Sequence, residues 1–145
     1  MKRFIIFQLF LFFISFKLTA QIPREHPDND HPTKVACIGT SITYGATIVN
    51  MPRDSYPAQL GRLLGTQWKV RNFGVNGRTM LKKGNLPYWN TPVFEQAMEF
   101  LPDVIIIELG TNDSKPQNWK YKSEFYDDYK DMINGLLALK SSPKI

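Results

Sequence analysis

Three apolar runs divide the chain, and each ends in a polar turn. Val35-Ala36-Cys37-Ile38 breaks at Gly39-Thr40-Ser41 and has the make-up of a short buried strand. Trp68 to Phe73 alternates apolar and polar positions, the period of a second strand, and opens into Gly74-Val75-Asn76-Gly77-Arg78-Thr79. Val104-Ile105-Ile106-Ile107 is continuously apolar, like a strand covered on both sides, and closes in Gly110-Thr111-Asn112-Asp113. Glu108 interrupts the end of this third run and is expected to reach water.

Helical patterns lie between the strands. Ser55 to Gly65 has Pro57 in its first turn, Gly65 as its stop, and Leu60, Leu63 and Leu64 as an expected buried stripe. Pro92 to Leu101 reads as a second helix with Thr91 as N-cap and Pro92 at the first helical position. A third is expected from about Ser123 to Lys140, presenting Phe125, Tyr129, Met132, Ile133, Leu136 and Leu137 on one face. Ala46–Asp54, Lys82–Thr91 and Ser114–Trp119 read as loops. Lys144-Ile145 looks like the opening of a further strand, so the domain is expected to be truncated at its C-terminus. Strands alternating with helices predict an α/β fold: a parallel sheet, right-handed crossovers, and helices on both faces.

The first 20 residues are of another kind. Lys2 and Arg3 precede the apolar run Phe4 to Ile14, and a more polar end follows, finishing in Ala20. That is the order of a cleavable signal peptide, which predicts a secreted or periplasmic protein with no stable membrane association after cleavage. The run is short for a membrane span, and Lys17 stops its extension. An uncleaved anchor is the competing reading. Residues 21–33, with Pro23, Pro27 and Pro32, read as an extended lead-in, and 34–145 as the folded domain.

The leader changes the meaning of the charge. Lys2, Arg3 and Lys17 carry three of the net +5, so the remainder is an ordinary surface at +2 and gives no argument for nucleic acid. The single cysteine, Cys37, lies within the first strand and is expected to be a small core residue. The only histidines, His26 and His31, sit in the lead-in, where a metal site would lack a rigid frame.

In a parallel sheet the three polar turns fall on the same edge, where α/β sheets bind ligands. Ser41 is a candidate nucleophile for acyl transfer, which also needs donors aimed at the developing oxyanion. The Gly77 N–H can approach a substrate closely, the Asn112 amide can donate, and the Ser41 N–H is free to be a third donor. A phosphate-binding reading of Gly39 to Gly45 lacks the Gly-Lys-Ser/Thr ending that engages phosphate and Mg²⁺.

Gly39-Thr40-Ser41-Ile42-Thr43 resembles the Gly-Asp-Ser block of the SGNH, or GDSL-type, hydrolases. Gly77 matches their glycine block, and Gly110-Thr111-Asn112-Asp113 their Gly-x-Asn-Asp block. Within the family, Arg53 to Leu60 and Gly110 to Trp119 look most like secreted carbohydrate esterases of the sialate O-acetylesterase kind. The resemblance implies a flavodoxin-like three-layer αβα sandwich and an esterase that needs no cofactor or metal and removes O-acetyl groups from carbohydrate. It implies Ser41 as nucleophile, Gly77 and Asn112 with the Ser41 N–H as the oxyanion hole, Gly39 and Thr40 as turn supports, and Asp113 as a loop brace. Thr40 replaces the family's aspartate. The family's acid and base, an Asp-x-x-His near the C-terminus, have no counterpart after Asp113. The resemblance therefore implies a chain inactive by itself, the N-terminal portion of an esterase. The rival reading is a non-catalytic glycan-binding module or remnant on the same fold; under either reading Tyr44, Tyr88, Trp89 and Trp119 are the candidate sugar-stacking residues.

Overall fold

The computed structural model describes residues 31–145; the leader and most of the lead-in lie outside them. Three strands form one parallel sheet in the order β2-β1-β3, with β1 at Thr33–Gly39, β2 at Trp68–Gly74 and β3 at Val104–Glu108. Thr33, assigned to the lead-in by sequence, already pairs with Trp68. Past β3, Lys144 bridges to Val104 in parallel, so the chain is entering a fourth strand position there.

The register divides the side chains between two faces. Ala36 aligns with Arg71 and Ile105, and Ile38 with Phe73 and Ile107. These positions face a core that also holds Met80, Tyr88, Phe94, Ala97, Phe100, Met132 and Leu136. The core is closed by α4 (Pro92–Glu99) and α6 (Phe125–Leu137). The opposite face, with Val35, Cys37 and Val70, is covered by the short helix α1 (Ser41–Tyr44) and by α3 (Tyr56–Leu64), and α2 (Met51–Asp54) packs against α3. Helix, sheet and helix layers result, the αβα architecture that strand–helix alternation predicts.

Local chemistry sets the helix ends. Thr91 caps α4 by accepting from the Phe94 N–H at 3.2 Å, and Pro92 occupies the first turn, where its missing N–H costs nothing. Gly65 ends α3 at a positive φ of 82°. Between α5 (Pro116–Trp119) and α6, a 3-10 turn spans Lys122–Glu124.

Three sequence expectations are corrected. Leu63 is 85 % exposed, so it does not belong to the buried stripe of α3. That helix packs through Gly61, where a Cβ would lie 3.5 Å from the Val70 side chain, and through buried Pro57. Spacing of i and i+4 from Pro57 aims this face at β2 and turns Leu63 outward. The expected loops at 46–54, 82–91 and 114–119 contain α2, a 3-10 turn at Tyr88–Asn90, and α5. Leu137, placed on the buried face of α6, is 48 % exposed. Among the described residues, no helix is long and apolar enough to cross a membrane.

Candidate active site

The end of β1 is crowded, and glycine is what allows it. A Cβ on Gly39 would lie 2.7 Å from the Glu108 carbonyl oxygen and 2.8 Å from Thr43 Cβ. Any larger residue would push β1 away from β3 and α1. Thr40 then turns the chain as the N-cap of α1, its hydroxyl oxygen accepting weakly from the Ile42 N–H at 3.4 Å. Ser41 is the first residue of α1 and is half-buried. Its hydroxyl and its N–H have no hydrogen-bond partner among the described residues.

Beyond β2 the pairing with β1 continues for one step, the Val75 N–H donating to the Gly39 carbonyl at 2.9 Å. This carries the following loop past the serine turn. Gly77 takes φ of +75°, a conformation most residues avoid, and its N–H has no partner among the described residues. The carbonyl of the next residue, Arg78, accepts from the Asn112 side-chain amide at 3.0 Å. Asn112 is 6 % exposed, and that amide nitrogen carries a second N–H.

Asp113 is fully buried and spends both carboxylate oxygens on backbone. One accepts from the Met80 N–H at 2.9 Å and the other from the Leu81 N–H at 2.7 Å. The loop after β2 and the turn after β3 are thus held by three side-chain bonds, although β2 and β3 do not pair with each other.

Glu108 is partly exposed, as expected, and its carboxylate also meets a cluster of donors. Its Oε2 accepts from the Thr40 hydroxyl at 2.7 Å, the Thr40 N–H at 3.1 Å and the Thr43 hydroxyl at 3.3 Å. Its Oε1 accepts from the Thr111 hydroxyl at 3.2 Å. A charged group at a strand end is ordinarily solvated; here neighbouring turns supply four hydrogen bonds beside the solvent that reaches this partly exposed residue.

Two further residues were missed in the sequence. Asn72 ties α1 to β2: its amide donates to the Thr43 carbonyl at 2.8 Å, and its side-chain oxygen accepts from the Gly74 N–H at 2.8 Å. Buried Asn118 donates to the Asn112 carbonyl at 2.9 Å and accepts from the Asn85 N–H at 2.8 Å, fixing the backbone under Asn112. A polar position near the end of the second strand was the only signal of Asn72, and an asparagine in an expected loop the only signal of Asn118.

No histidine serves Ser41 among the described residues. Asp28-Asn29-Asp30-His31 does have the Asp-x-x-His spacing, but ahead of β1. His31 sits at the N-terminal end of β1, roughly 20 Å of strand away from the edge that carries Ser41. His26 lies outside the described residues. Behind the serine turn, the Tyr56 hydroxyl lies 3.2 Å from that of Thr43. Burial pushes Tyr56 up to about 12 and Cys37 up to about 11, so both stay protonated at neutral pH. Cys37 is fully buried, which leaves it no route to act as a nucleophile.

Of the four candidate sugar-stacking residues, Tyr88 has no face open to a sugar. It is fully buried and donates to the Phe73 carbonyl at 2.5 Å. Trp89 is half-buried, with its indole N–H on the Met80 carbonyl at 2.7 Å. Tyr44 and Trp119 are 39 % and 43 % exposed. Among the described residues, no cluster of three or more His, Cys, Asp or Glu is placed to hold a metal ion.

A parallel sheet whose carboxyl edge gathers a serine turn, a glycine loop and an Asn-Asp turn defines an SGNH-type α/β fold. Residues 37–145 match the GDSL-like Lipase/Acylhydrolase family, and the chain belongs to it. Over 103 residues, 71 % of this chain, it is 53 % identical to an acetylxylan esterase of Xylanibacter ruminicola, and the match covers 22 % of that protein. A carbohydrate acetylesterase family member from Sinorhizobium meliloti is similar with a TM-score of 0.55 at 24 % identity, over 70 % of this chain and 52 % of that one. The aryl esterase of M. smegmatis gives 0.57 at 20 % identity, over 77 % and 60 % of the two chains. At these identities the two structures speak to the flavodoxin-like three-layer fold. The chain spans 22 % of the length of the curated relative and little more than half of these solved neighbours.

Proposed function

We propose that this chain carries the nucleophile and oxyanion donors of an exported carbohydrate acetylesterase. The observation that carries the reading is the tying together of three turns at one sheet edge. Ser41 stands in one, Gly77 and Asn112 in the other two, and the Asn112–Arg78 bond joins the donor loops. In this reading the Ser41 oxygen attacks the acetyl carbonyl. The developing oxyanion accepts from the Ser41 and Gly77 N–H groups and from the second Asn112 N–H. Each such donor is worth about 10² to 10³ in rate. The serine proton passes to the histidine of an Asp-x-x-His that the family places beyond these blocks. Without that base the 145 residues alone turn over about 10⁶-fold more slowly. The acetylated-carbohydrate assignment rests on the acetylxylan esterase relative and on exposed Tyr44 and Trp119 as stacking surfaces. Export rests on the basic and apolar order of residues 1–20.

The test is acetate release from acetylated xylan by the full-length gene product and by its Ser41→Ala variant. Abolished release with retained xylan binding is the expected result, and hydrolysis surviving in Ser41→Ala would sink the esterase reading. The glycan-binding alternative draws on one observation, the lack of a described histidine beside Ser41. It predicts xylan binding with no acetate release from the unmodified protein.

A further inference from the structure

Glu108 is the only carboxylate hydrogen-bonded to residues 39–43 among the described residues. Its four bonds divide by destination. Three go to the turn that presents Ser41, and the fourth goes to Thr111, the residue immediately before Asn112. An ionised carboxylate is acceptor-only, with room for about four donors, and the two turns offer that number. The Thr40 hydroxyl donates to Glu108, which leaves its lone pair for the Ile42 N–H, so this carboxylate also sets the direction of the α1 cap.

We infer that Glu108 is the positioning residue of this site, a bridge holding the Ser41 turn at a set distance from the Asn112 turn. The inference rests on the esterase reading above. The family's Gly-Asp-Ser block has its carboxylate on the residue before the serine. Thr40 stands there in this chain, and the carboxylate arrives from the end of the neighbouring strand instead. The swap keeps an acidic acceptor under the nucleophile turn. It adds a link that a residue on the turn itself does not supply, because Thr111 belongs to the β3 turn. Glu108 has no part in the chemistry itself; it acts through Thr40 and Thr111.

The experiment measures p-nitrophenyl acetate hydrolysis by the full-length protein and its Glu108→Ala, Glu108→Gln and Thr111→Val variants. Displacing a nucleophile by about 1 Å costs on the order of 100-fold, so Glu108→Ala is expected to lose about 100-fold in kcat with KM little changed. Glutamine keeps one oxygen for Thr40 and Thr43 and can turn its NH2 to Thr111, so Glu108→Gln should stay within about 10-fold of the parent. Thr111→Val cuts only the link to the Asn112 turn. It is expected to lose about 10-fold in kcat, the weight of one hydrogen bond to a charged group. This variant keeps the inference testable should Glu108→Ala fail to fold. Parent-like kcat in Glu108→Ala or Thr111→Val, or a loss confined to KM, overturns the inference. Ser41→Ala in the same assay decides the esterase reading separately. Hydrolysis surviving there overturns both; an inactive Ser41→Ala beside parent-like Glu108 variants overturns only this one.

Discussion

Removing the carboxylate of Asp113 should cost far more stability than an ordinary substitution. Asp113 is fully buried and its two oxygens satisfy the N–H groups of Met80 and Leu81, both themselves fully buried. In Asp113→Ala these two donors have no water to turn to. Each buried unsatisfied donor costs about 1–3 kcal/mol, so the loss is about 2–6 kcal/mol. A domain of this size has about 5–15 kcal/mol in all, so the variant would sit near its folding threshold. Asp113→Asn keeps one acceptor oxygen and turns an NH2 toward the second N–H. It should retain one bond and lose roughly half as much. Urea unfolding gives the numbers, with the midpoint reporting stability and the slope guarding against a change in the unfolded state. Ester hydrolysis gives a second readout, because Met80 lies three residues after Gly77 and Asp113 directly follows Asn112. A shift of this junction moves both proposed donors, so kcat should fall in Asp113→Asn even where the fold survives. Asp113→Ala within about 0.5 kcal/mol of the parent would refute the reasoning, since it would mean that water replaces both bonds.

Stability should fall in alkali. Burial raises Cys37 from 9.0 to about 11 and Tyr56 from 10.0 to about 12, so the folded state favours their neutral forms. Their contribution is complete below pH 9 and is lost as pH rises to 11 and 12, at about 1.4 kcal/mol per pH unit for each group. Urea midpoints at pH 8 and pH 10.5 check this; Cys37→Ser should flatten the first part of the decline, and a flat profile in the parent would contradict it. Gly39→Ala places a methyl 2.7 Å from the Glu108 carbonyl oxygen and should cost about 1–3 kcal/mol. Because Ser41 is two residues on, that variant should also lose more in kcat than in KM, and unchanged hydrolysis would show that the turn tolerates being moved.

The strands were legible because their information is local. Val35 to Ile38 and Val104 to Ile107 are apolar enough to be read as strands whatever surrounds them, although Ile106 is exposed, and Thr91-Pro92 spells a helix start. The site turns were legible for the same reason, since each is a short polar block at a strand end. Leu63 was misread because a nine-residue helix gives the periodicity little length to average over. Its orientation is set by Gly61 packing on Val70, a contact that a search for large apolar residues does not notice. Glu108, Asn72 and Asn118 were illegible for a different reason. Their roles rest on hydrogen bonds to residues 68, 29 and 33 positions away, respectively. No local pattern encodes such partners, and a polar residue at a strand end looks the same whether it meets water or a cluster of donors.

The strand order explains why the site is built from turns so far apart in sequence. β1 lies between β2 and β3, so the serine turn emerges at the centre and the two donor loops emerge on either side of it. The ends of β2 and β3 are separated by a whole strand, yet Asn112 reaches the Arg78 carbonyl and Asp113 reaches Met80 and Leu81. These bonds must therefore span the end of β1. A span of this kind fixes the donors relative to one another but not to the serine beneath them. Fixing the serine needs a vertical tie from one of the flanking strands to the β1 turn. On the β2 side, Asn72 grips α1 through the Thr43 carbonyl. On the β3 side, Glu108 grips Thr40 and Thr43. Thr43 is thus held by its backbone on one side and by its hydroxyl on the other, and the bond to Glu108 is what calls for a hydroxyl at this fully buried position of a four-residue helix. Replacing Thr43 by valine would remove the Glu108 bond and keep the backbone carbonyl that Asn72 holds, so the two ties can be cut one at a time.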